Sequence, residues 1–169
     1  CTPCAAGTVT LTMGSNNCTS CTPGWYQAST GGLKCTQCPD GKVAGKAGAT
    51  ACGTCQPGKF ATKGQNIQEC TPCATGTYNA LTGHTNCTLC PAGFFNSQTG
   101  KSNCEECKAG SYQPTPGEDN CDVANNGSYA GAGSTSKTVC PAGTFCSLPA
   151  NEGCAKCDNC AAGKWSNKG

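Results

Sequence analysis

Residues 18–38 read CTSCTPGWYQASTGGLKCTQC, and this stretch contains every feature of a unit that recurs along the chain. A C-x-x-C pair opens the unit, a glycine follows three residues after the second cysteine, and an aromatic residue or valine follows two residues later. Successive pairs open 17 residues apart, with a single step of 18, at Cys1, Cys18, Cys35, Cys52, Cys70, Cys87 and Cys104. A fixed period of this length indicates a tandem array in which each unit packs on its neighbours.

Two glycines mark each unit. The first precedes the aromatic residue or valine in ten copies: Gly7 with Val9, Gly24 with Tyr26, Gly41 with Val43, Gly58 with Phe60, Gly76 with Tyr78, Gly93 with Phe95, Gly110 with Tyr112, Gly127 with Tyr129, Gly143 with Phe145 and Gly163 with Trp165. The second is expected at a tight turn with positive φ, at Gly14, Gly31, Gly48, Gly83, Gly100 and Gly117. Each unit is therefore predicted to be a β-hairpin whose first arm carries Gly-x-aromatic and whose return arm ends at the next cysteine.

The composition leaves little material for an ordinary hydrophobic core. The 169 residues include 20 Cys but only 5 Leu, 4 Val, 4 Phe and 1 Ile. So many cysteines mark a disulfide scaffold and an oxidising compartment, because cytosolic reductants keep thiols reduced. The predicted fold is small and disulfide-rich: tandem β-hairpin repeats of about 17 residues stacked into an elongated rod with little helix. The predicted location is extracellular or at the cell surface.

The charge pattern excludes some partners. The formal net charge is +2 and all eleven basic residues are lysines. Without arginine for bidentate phosphate contacts, nucleic acid is not expected as a partner. No apolar run is long enough to span a membrane, so this segment is not expected to insert into one. Because the chain begins at Cys1 rather than Met, we expect a processed product or an excised fragment.

The last third departs from the repeat. Ala124 stands where the second cysteine of a pair belongs, and the region around residues 127–138 is rich in Gly, Ser and Thr. The domain prediction is a regular array over 1–123 and a variant unit, truncated at its end, over 124–169.

Sequence alone does not fix how the cysteines pair. A hairpin brings its ends together, which favours a bond between the second cysteine of one pair and the first of the next. The hypothesis joins Cys4 to Cys18, Cys21 to Cys35, Cys38 to Cys52, Cys55 to Cys70, Cys73 to Cys87, Cys90 to Cys104, Cys107 to Cys121, Cys140 to Cys154 and Cys146 to Cys157. Each loop is expected to contribute on the order of 3 kcal/mol through chain entropy.

Two cysteines, Cys1 and Cys160, are left over in this scheme. Either the polypeptide continues at both ends, or Cys160 of one copy bonds Cys1 of the next and the chain forms a covalent head-to-tail filament. Contacts that do not close on themselves produce open fibres.

The repeat resembles the ephrin-receptor-like cysteine-rich repeats of extracellular proteins. The shared pattern is C-x-x-C-x-x-G-x-aromatic, then about eight residues and the next pair, and it covers nearly the whole chain. The loop is also similar to the first half of a tumour necrosis factor receptor module, where a C-x-x-G-x-Tyr loop is closed by its own disulfide. The resemblance implies an architecture rather than a function, because such repeats occur in stalks, receptor ectodomains, surface coats and fibre subunits.

The cysteine pairs, the acidic residues and the histidine also fit other kinds of site. C-x-x-C is also the spacing of zinc ligands and of thioredoxin-like redox pairs, and acidic residues near Glu105 and Glu118 leave a weak calcium contact as an alternative. The uniform hairpin spacing and the absence of paired histidines favour disulfides. His84, the one histidine, is predicted to lie in a surface turn. No catalytic residue, cofactor or metal is expected, and the chain is predicted not to be an enzyme.

Sequons and aromatic residues are the remaining surface features. Asn17, Asn86 and Asn126 begin N-x-Ser/Thr sequons that a secreted chain can glycosylate. The aromatic residues of the repeat are expected to form a thin ladder core, with a carbohydrate-binding stripe as the alternative. Trp25 and Phe94, one residue off the ladder, are expected to face outward and contact other chains.

These features favour a structural or adhesive extracellular protein, a subunit of a glycosylated fibre, surface coat or flagellar appendage. The alternative is a ligand-binding or spacer region of a cell-surface receptor. The expected partners are further copies of the chain, arranged head to tail, or other extracellular proteins.

Overall fold

The computed structural model describes residues 1–62, 68–125, 127–146 and 153–166. Within these residues the chain forms nine two-stranded antiparallel hairpins and no helix, which confirms the predicted small disulfide-rich repeat fold. The hairpins pair β1 (Thr8–Val9) with β2 (Thr19–Ser20), β3 (Trp25–Tyr26) with β4 (Thr36–Gln37), β5 (Lys42–Val43) with β6 (Gly53–Thr54), β7 (Lys59–Phe60) with β8 (Thr71–Pro72), β9 (Thr77–Tyr78) with β10 (Thr88–Leu89), β11 (Phe94–Phe95) with β12 (Glu105–Glu106), β13 (Ser111–Tyr112) with β14 (Asp122–Val123), β15 (Ser128–Tyr129) with β16 (Thr138–Val139), and β17 (Thr144–Phe145) with β18 (Asp158–Asn159).

The return strand lies between the two cysteines of the following pair in every described hairpin except those of β14 and β16, where Ala124 and Lys137 replace one cysteine. In the second repeat, Tyr26 faces Thr36 across the ladder. The prediction that the return arm ends at the next cysteine is therefore wrong, because the strand begins directly after it. The physical reason is that the disulfide closes the loop just before the strand. The ladder then ends where the Cys38 N–H donates to the Gly24 carbonyl, at 2.9 Å.

The turn glycines take the backbone conformation that their spacing predicts. Gly31 and Gly48 have φ of 70° and 75°, in the left-handed region. This conformation is accessible to glycine at little cost because it has no Cβ. The prediction of positive φ is confirmed at all six turn glycines named from the sequence.

Successive repeats stack through backbone hydrogen bonds made at fixed positions. The Gly24 N–H donates to the Ala44 carbonyl of the next repeat at 2.8 Å, and the Gly48 N–H donates back to the Cys21 carbonyl at 2.8 Å. Because these bonds use main-chain groups, they recur in most of the described repeats and do not depend on side-chain identity. The sequence therefore specifies the stack mainly through its glycines and cysteines.

In the described part of the chain the buried side chains are mostly small, and none of them is aromatic. The second cysteine of each regular pair is at most 6 % exposed, and a second site, six residues after it, is buried in six repeats and half-buried in the other four. We call this second site the core position, and its residues are Thr10, Gln27, Ala44, Ala61, Asn79, Asn96, Gln113, Ala130, Cys146 and Ser166. The predicted aromatic ladder core is wrong in this respect. Val9 is buried, but Tyr26, Phe60, Tyr78, Phe95 and Tyr112 are only half-buried. Cysteine, glycine and the core position fill the centre because consecutive backbones approach too closely for rings.

Amides at the core position connect backbone groups in two ways. Asn79 and Asn96 donate from Nδ2 to the carbonyls of Lys59 and Thr77 in the preceding repeat, each at 2.8 Å. The longer Gln113 instead donates to the Asn120 carbonyl within its own loop, at 2.8 Å. Asparagine thus joins two repeats, whereas glutamine braces a single loop.

We expect Asn96→Asp to destabilise the protein more than Asn96→Ala. Asn96 is 1 % exposed, and its Oδ1 also accepts from the Gln98 N–H. Aspartate removes the donor to the Thr77 carbonyl and buries a carboxylate, whereas alanine occupies the equivalent site at Ala44. A loss of about 1–2 kcal/mol is expected for alanine, and a larger loss for aspartate at neutral pH. Guanidinium unfolding of the oxidised proteins measures both, and equal losses would contradict the inter-repeat bond.

The chain divides into two compact units. One comprises Cys1–Cys73 with Asn79–Cys87, and the other comprises Ala74–Tyr78 with Thr88–Gly169. Both units use the same stacking bonds: the Gly58 N–H donates to the Asn79 carbonyl in the first, and the Gly93 N–H donates to the Gln113 carbonyl in the second. The boundary at residue 123 was drawn from cysteine regularity and stays a prediction.

Candidate functional site

Seven disulfides close the regular repeats, each joining the second cysteine of one pair to the first cysteine of the next. Their Cα–Cα distances are 5.6–5.9 Å, and six of the seven have a sequence separation of 14. The structure joins the same cysteines as the hairpin hypothesis: Cys4–Cys18, Cys21–Cys35, Cys38–Cys52, Cys55–Cys70, Cys73–Cys87, Cys90–Cys104 and Cys107–Cys121. The cysteines that could have bound zinc in these repeats are therefore taken up in S–S bonds.

The disulfides and the C-x-x-C segments together form a continuous covalent path that bypasses each hairpin loop. From Cys4 the path crosses the disulfide to Cys18, follows two residues to Cys21, and crosses the next disulfide to Cys35. It continues in this way without a break as far as Cys121. The hairpin loops are not part of this path. Because each loop is closed by its own disulfide, tension along the path does not open it.

The eighth repeat has no disulfide. Ala124 occupies the second-cysteine position, and Lys137 occupies the first-cysteine position directly before β16. Ala124 is 0 % exposed and keeps the backbone bond of its cysteine equivalents, its N–H donating to the Gly110 carbonyl at 2.8 Å. Sequence reasoning recognised Ala124 but missed Lys137. The signal was available, because Lys137 lies four residues after Gly133 just as Cys121 lies four residues after Gly117.

The ninth repeat corrects two predicted pairings. The structure contains Cys140–Cys157 and Cys146–Cys154 instead of the predicted Cys140–Cys154 and Cys146–Cys157. The next C-x-x-C pair is Cys157 to Cys160, which holds strand β18 between its cysteines. Three residues are inserted before the turn glycine Gly153, so the separation of the closing bond grows to 17. Cys146 occupies the core position and bonds inside this longer loop.

A model of the family described as tyrosine-protein kinase ephrin type A/B receptor-like matches residues 7–55 and 58–103, more than half of the chain. The chain belongs to the ephrin-receptor-like cysteine-rich repeat family. No match to a curated protein was found at a significant level.

Membership in the ephrin-receptor-like family, together with nine disulfides, indicates an extracellular cysteine-rich protein, secreted or displayed at a surface. In the part of the chain that the structure describes, no helix is long and apolar enough to cross a bilayer. Cysteine-rich repeat domains of this kind are typically non-catalytic.

Two cysteines of the ephrin-receptor-like array lack a disulfide partner. Cys1 is exposed and Cys160 is partly exposed. Cys1 is the first cysteine of its pair and Cys160 is the second cysteine of its pair. The two thiols therefore hold complementary positions, those that are joined in every closed repeat.

The sequons lie at the bases of hairpin loops. Asn17 and Asn86 are exposed, and each directly precedes the first cysteine of a pair. The threonines that complete their sequons, Thr19 and Thr88, are exposed first residues of β2 and β10. Asn126 lies outside the described residues. Glycosylation at these sites stays a prediction.

The remaining predicted surface residues are distributed along the array and form no cluster. Trp25 and Phe94 are half-buried and face Gln37 and Glu106 across their ladders, so the expectation that they project outward is met only in part. His84 is half-buried, and its carbonyl accepts from the Ala61 N–H at 3.1 Å. Within the described residues no group of three or more metal-ligating side chains comes together.

Proposed function

We propose that the chain is a structural or adhesive extracellular element, a subunit of a glycosylated fibre, surface coat or flagellar appendage. One observation carries this proposal: in most of the described repeats the same backbone donors and acceptors face the next repeat. The Gly24 N–H to Ala44 and Gly48 N–H to Cys21 bonds recur in sequence-equivalent form along both units. A surface built from such a set is complementary to another copy of itself.

The proposed assembly is head to tail. A bond between Cys160 of one copy and Cys1 of the next reproduces the second-to-first cysteine link of the closed repeats. It extends the covalent path from one copy to the next. Heterologous contacts of this kind generate open filaments because they do not close.

The surface chemistry agrees with a structural role. The return strands of most hairpins are exposed on both residues, as in Thr19–Ser20, Thr71–Pro72 and Thr88–Leu89. Asn17 and Asn86 lie beside two of these strands and offer exposed sites for glycans. The formal net charge of +2 on 169 residues leaves little long-range repulsion between copies.

We expect electron microscopy of the native material to show long regular filaments that shorten on mild reduction. The matched variants are Cys160→Ser and Cys1→Ser, each of which removes one of the two unpaired thiols and leaves the nine internal disulfides intact. Either variant is expected to abolish disulfide-linked oligomers larger than a dimer on non-reducing gels, because one thiol per chain can join two copies at most. Discrete monomers of the unsubstituted chain, with and without reductant, would overturn the fibre proposal and favour a receptor stalk or spacer. The same images test the predicted rod shape.

A further inference from the structure

We propose that the eighth repeat is a built-in extensible element, the one described segment between Cys4 and Cys160 whose hairpin loop can be pulled out when the array is stretched. This inference does not depend on the proposed function, because a fibre and a receptor stalk both carry tension. It follows from where the disulfide path is continuous and where it is interrupted.

The path is short and closed through the regular repeats. Each step consists of a disulfide with a Cα–Cα distance near 5.8 Å and a C-x-x-C segment that spans at most roughly 10 Å when extended. Pulling on such a path cannot recruit the hairpin loops, because each loop is bypassed by its own S–S bond. Each of these repeats can therefore lengthen only until its own disulfide and C-x-x-C segment are straight, while its loop stays closed.

Between Cys121 and Cys140 no disulfide bypasses the hairpin loop. No disulfide joins Ala124 to Lys137, so the tension passes through every residue of the segment. Beyond it the path resumes across Cys140–Cys157 to the pair that ends at Cys160. Fully extended, the segment from Cys121 to Cys140 spans at most roughly 65 Å, several times the length of a closed step.

Hydrogen bonds and the packing of small side chains, without a disulfide, hold this segment against its neighbours. Its hairpin is the two-residue ladder of β15 and β16. The Gly133 N–H donates to the Cys107 carbonyl at 2.8 Å, and the Ala130 N–H donates to the Cys154 carbonyl at 2.8 Å. Ala124, Ser128 and Ala130 are buried, but small side chains contribute little apolar area. The segment can therefore open and close reversibly while its neighbours stay folded.

Losing both cysteines together also fits an extensible element. A single substitution would leave a free thiol that can exchange with neighbouring disulfides. With Ala124 and Lys137 the repeat keeps its buried contact at one position and an exposed polar residue at the other. The opening segment then contains no thiol that could lock it in an open or misbonded form.

Single-molecule force spectroscopy under non-reducing conditions tests the proposal. The chain is tethered at both ends, with Cys1→Ser and Cys160→Ser to prevent links between copies. We expect one reversible step, whose released contour length is below roughly 65 Å. The double variant Ala124→Cys/Lys137→Cys restores a disulfide that bypasses the loop, and the step should disappear once mass spectrometry shows the new bond.

A second double variant keeps the test decisive if the new bond does not form. Cys90→Ala/Cys104→Lys copies the eighth repeat into the sixth, and it should add a second step of similar length. The proposal is overturned if the parent chain shows no step before its disulfides break. It is equally overturned if the step persists with the Ala124→Cys/Lys137→Cys bond in place, or if the Cys90→Ala/Cys104→Lys variant adds none.

Discussion

Reduction of the nine disulfides is expected to unfold the chain completely at 25 °C. The buried side chains are those of cysteines, alanines, three amides, Val9 and Ser128, and every strand in the described residues is two residues long. Isolated hairpins of this size are not stable in water. Each closed loop contributes on the order of 3 kcal/mol, so the loss of a few bonds removes the whole stability of an ordinary domain, about 5–15 kcal/mol.

Limited proteolysis with and without reductant measures this effect. The oxidised chain should resist cleavage in its stapled loops, and the reduced, alkylated chain should be cut at every accessible lysine. An oxidised sample treated with alkylating reagent alone is the control, since it modifies only Cys1 and Cys160. Protease resistance that survives full reduction would show that hydrogen bonds and packing suffice, contrary to the proposed role of the disulfides.

Gly76→Ala is expected to be far more damaging than Gly143→Ala, although the two glycines hold the same position in their repeats. Both have positive φ, 71° and 80°, so alanine costs about 1–2 kcal/mol at either site from backbone conformation alone. A Cβ at Gly76 would also overlap the carbonyl oxygen of Gly117, two repeats along the chain, whereas a Cβ at Gly143 meets none of the described residues within 4 Å. The overlap with backbone is expected to add at least about 2 kcal/mol.

Guanidinium titration of the two oxidised variants compares them directly, because both residues belong to the second compact unit. A much lower unfolding midpoint for Gly76→Ala than for Gly143→Ala is the expected result. Similar midpoints would mean that the close approach between repeats relaxes at little cost. In that case glycine is required at the first glycine position of each repeat only for its positive φ.

The sequence predicted those parts of the fold that depend on covalent spacing. The period, the turn glycines and seven cysteine pairings all follow from a loop of fixed length whose ends must meet. The aromatic ladder core was wrong because sequence patterns show which residues are apolar but not how closely two backbones approach. Gly76 beneath Gly117 leaves room for a buried Asn96 but not for a buried ring.

The predicted cysteine pairing was wrong in the ninth repeat because two overlapping C-x-x-C pairs occur there. Both Cys154-Ala-Lys-Cys157 and Cys157-Asp-Asn-Cys160 read as C-x-x-C, and Cys154 happens to lie 14 residues after Cys140. The turn glycine resolves the ambiguity, because the first cysteine of a pair follows it by four residues. Gly153 therefore selects Cys157, as Gly117 selects Cys121.

The position of these length changes shows where the array accepts foreign sequence. The separation between bonded cysteines is 15 at Cys55–Cys70 and 17 at Cys140–Cys157, and the spacing from the turn glycine to the next cysteine stays at four in the ninth repeat. The added residues there fall between the core position and the turn. A peptide epitope or enzyme tag inserted after Gln113 or Ala130 would enter at the equivalent point and leave the stacking glycines in register. We therefore expect the regular repeats to accept added residues between the core position and the turn glycine.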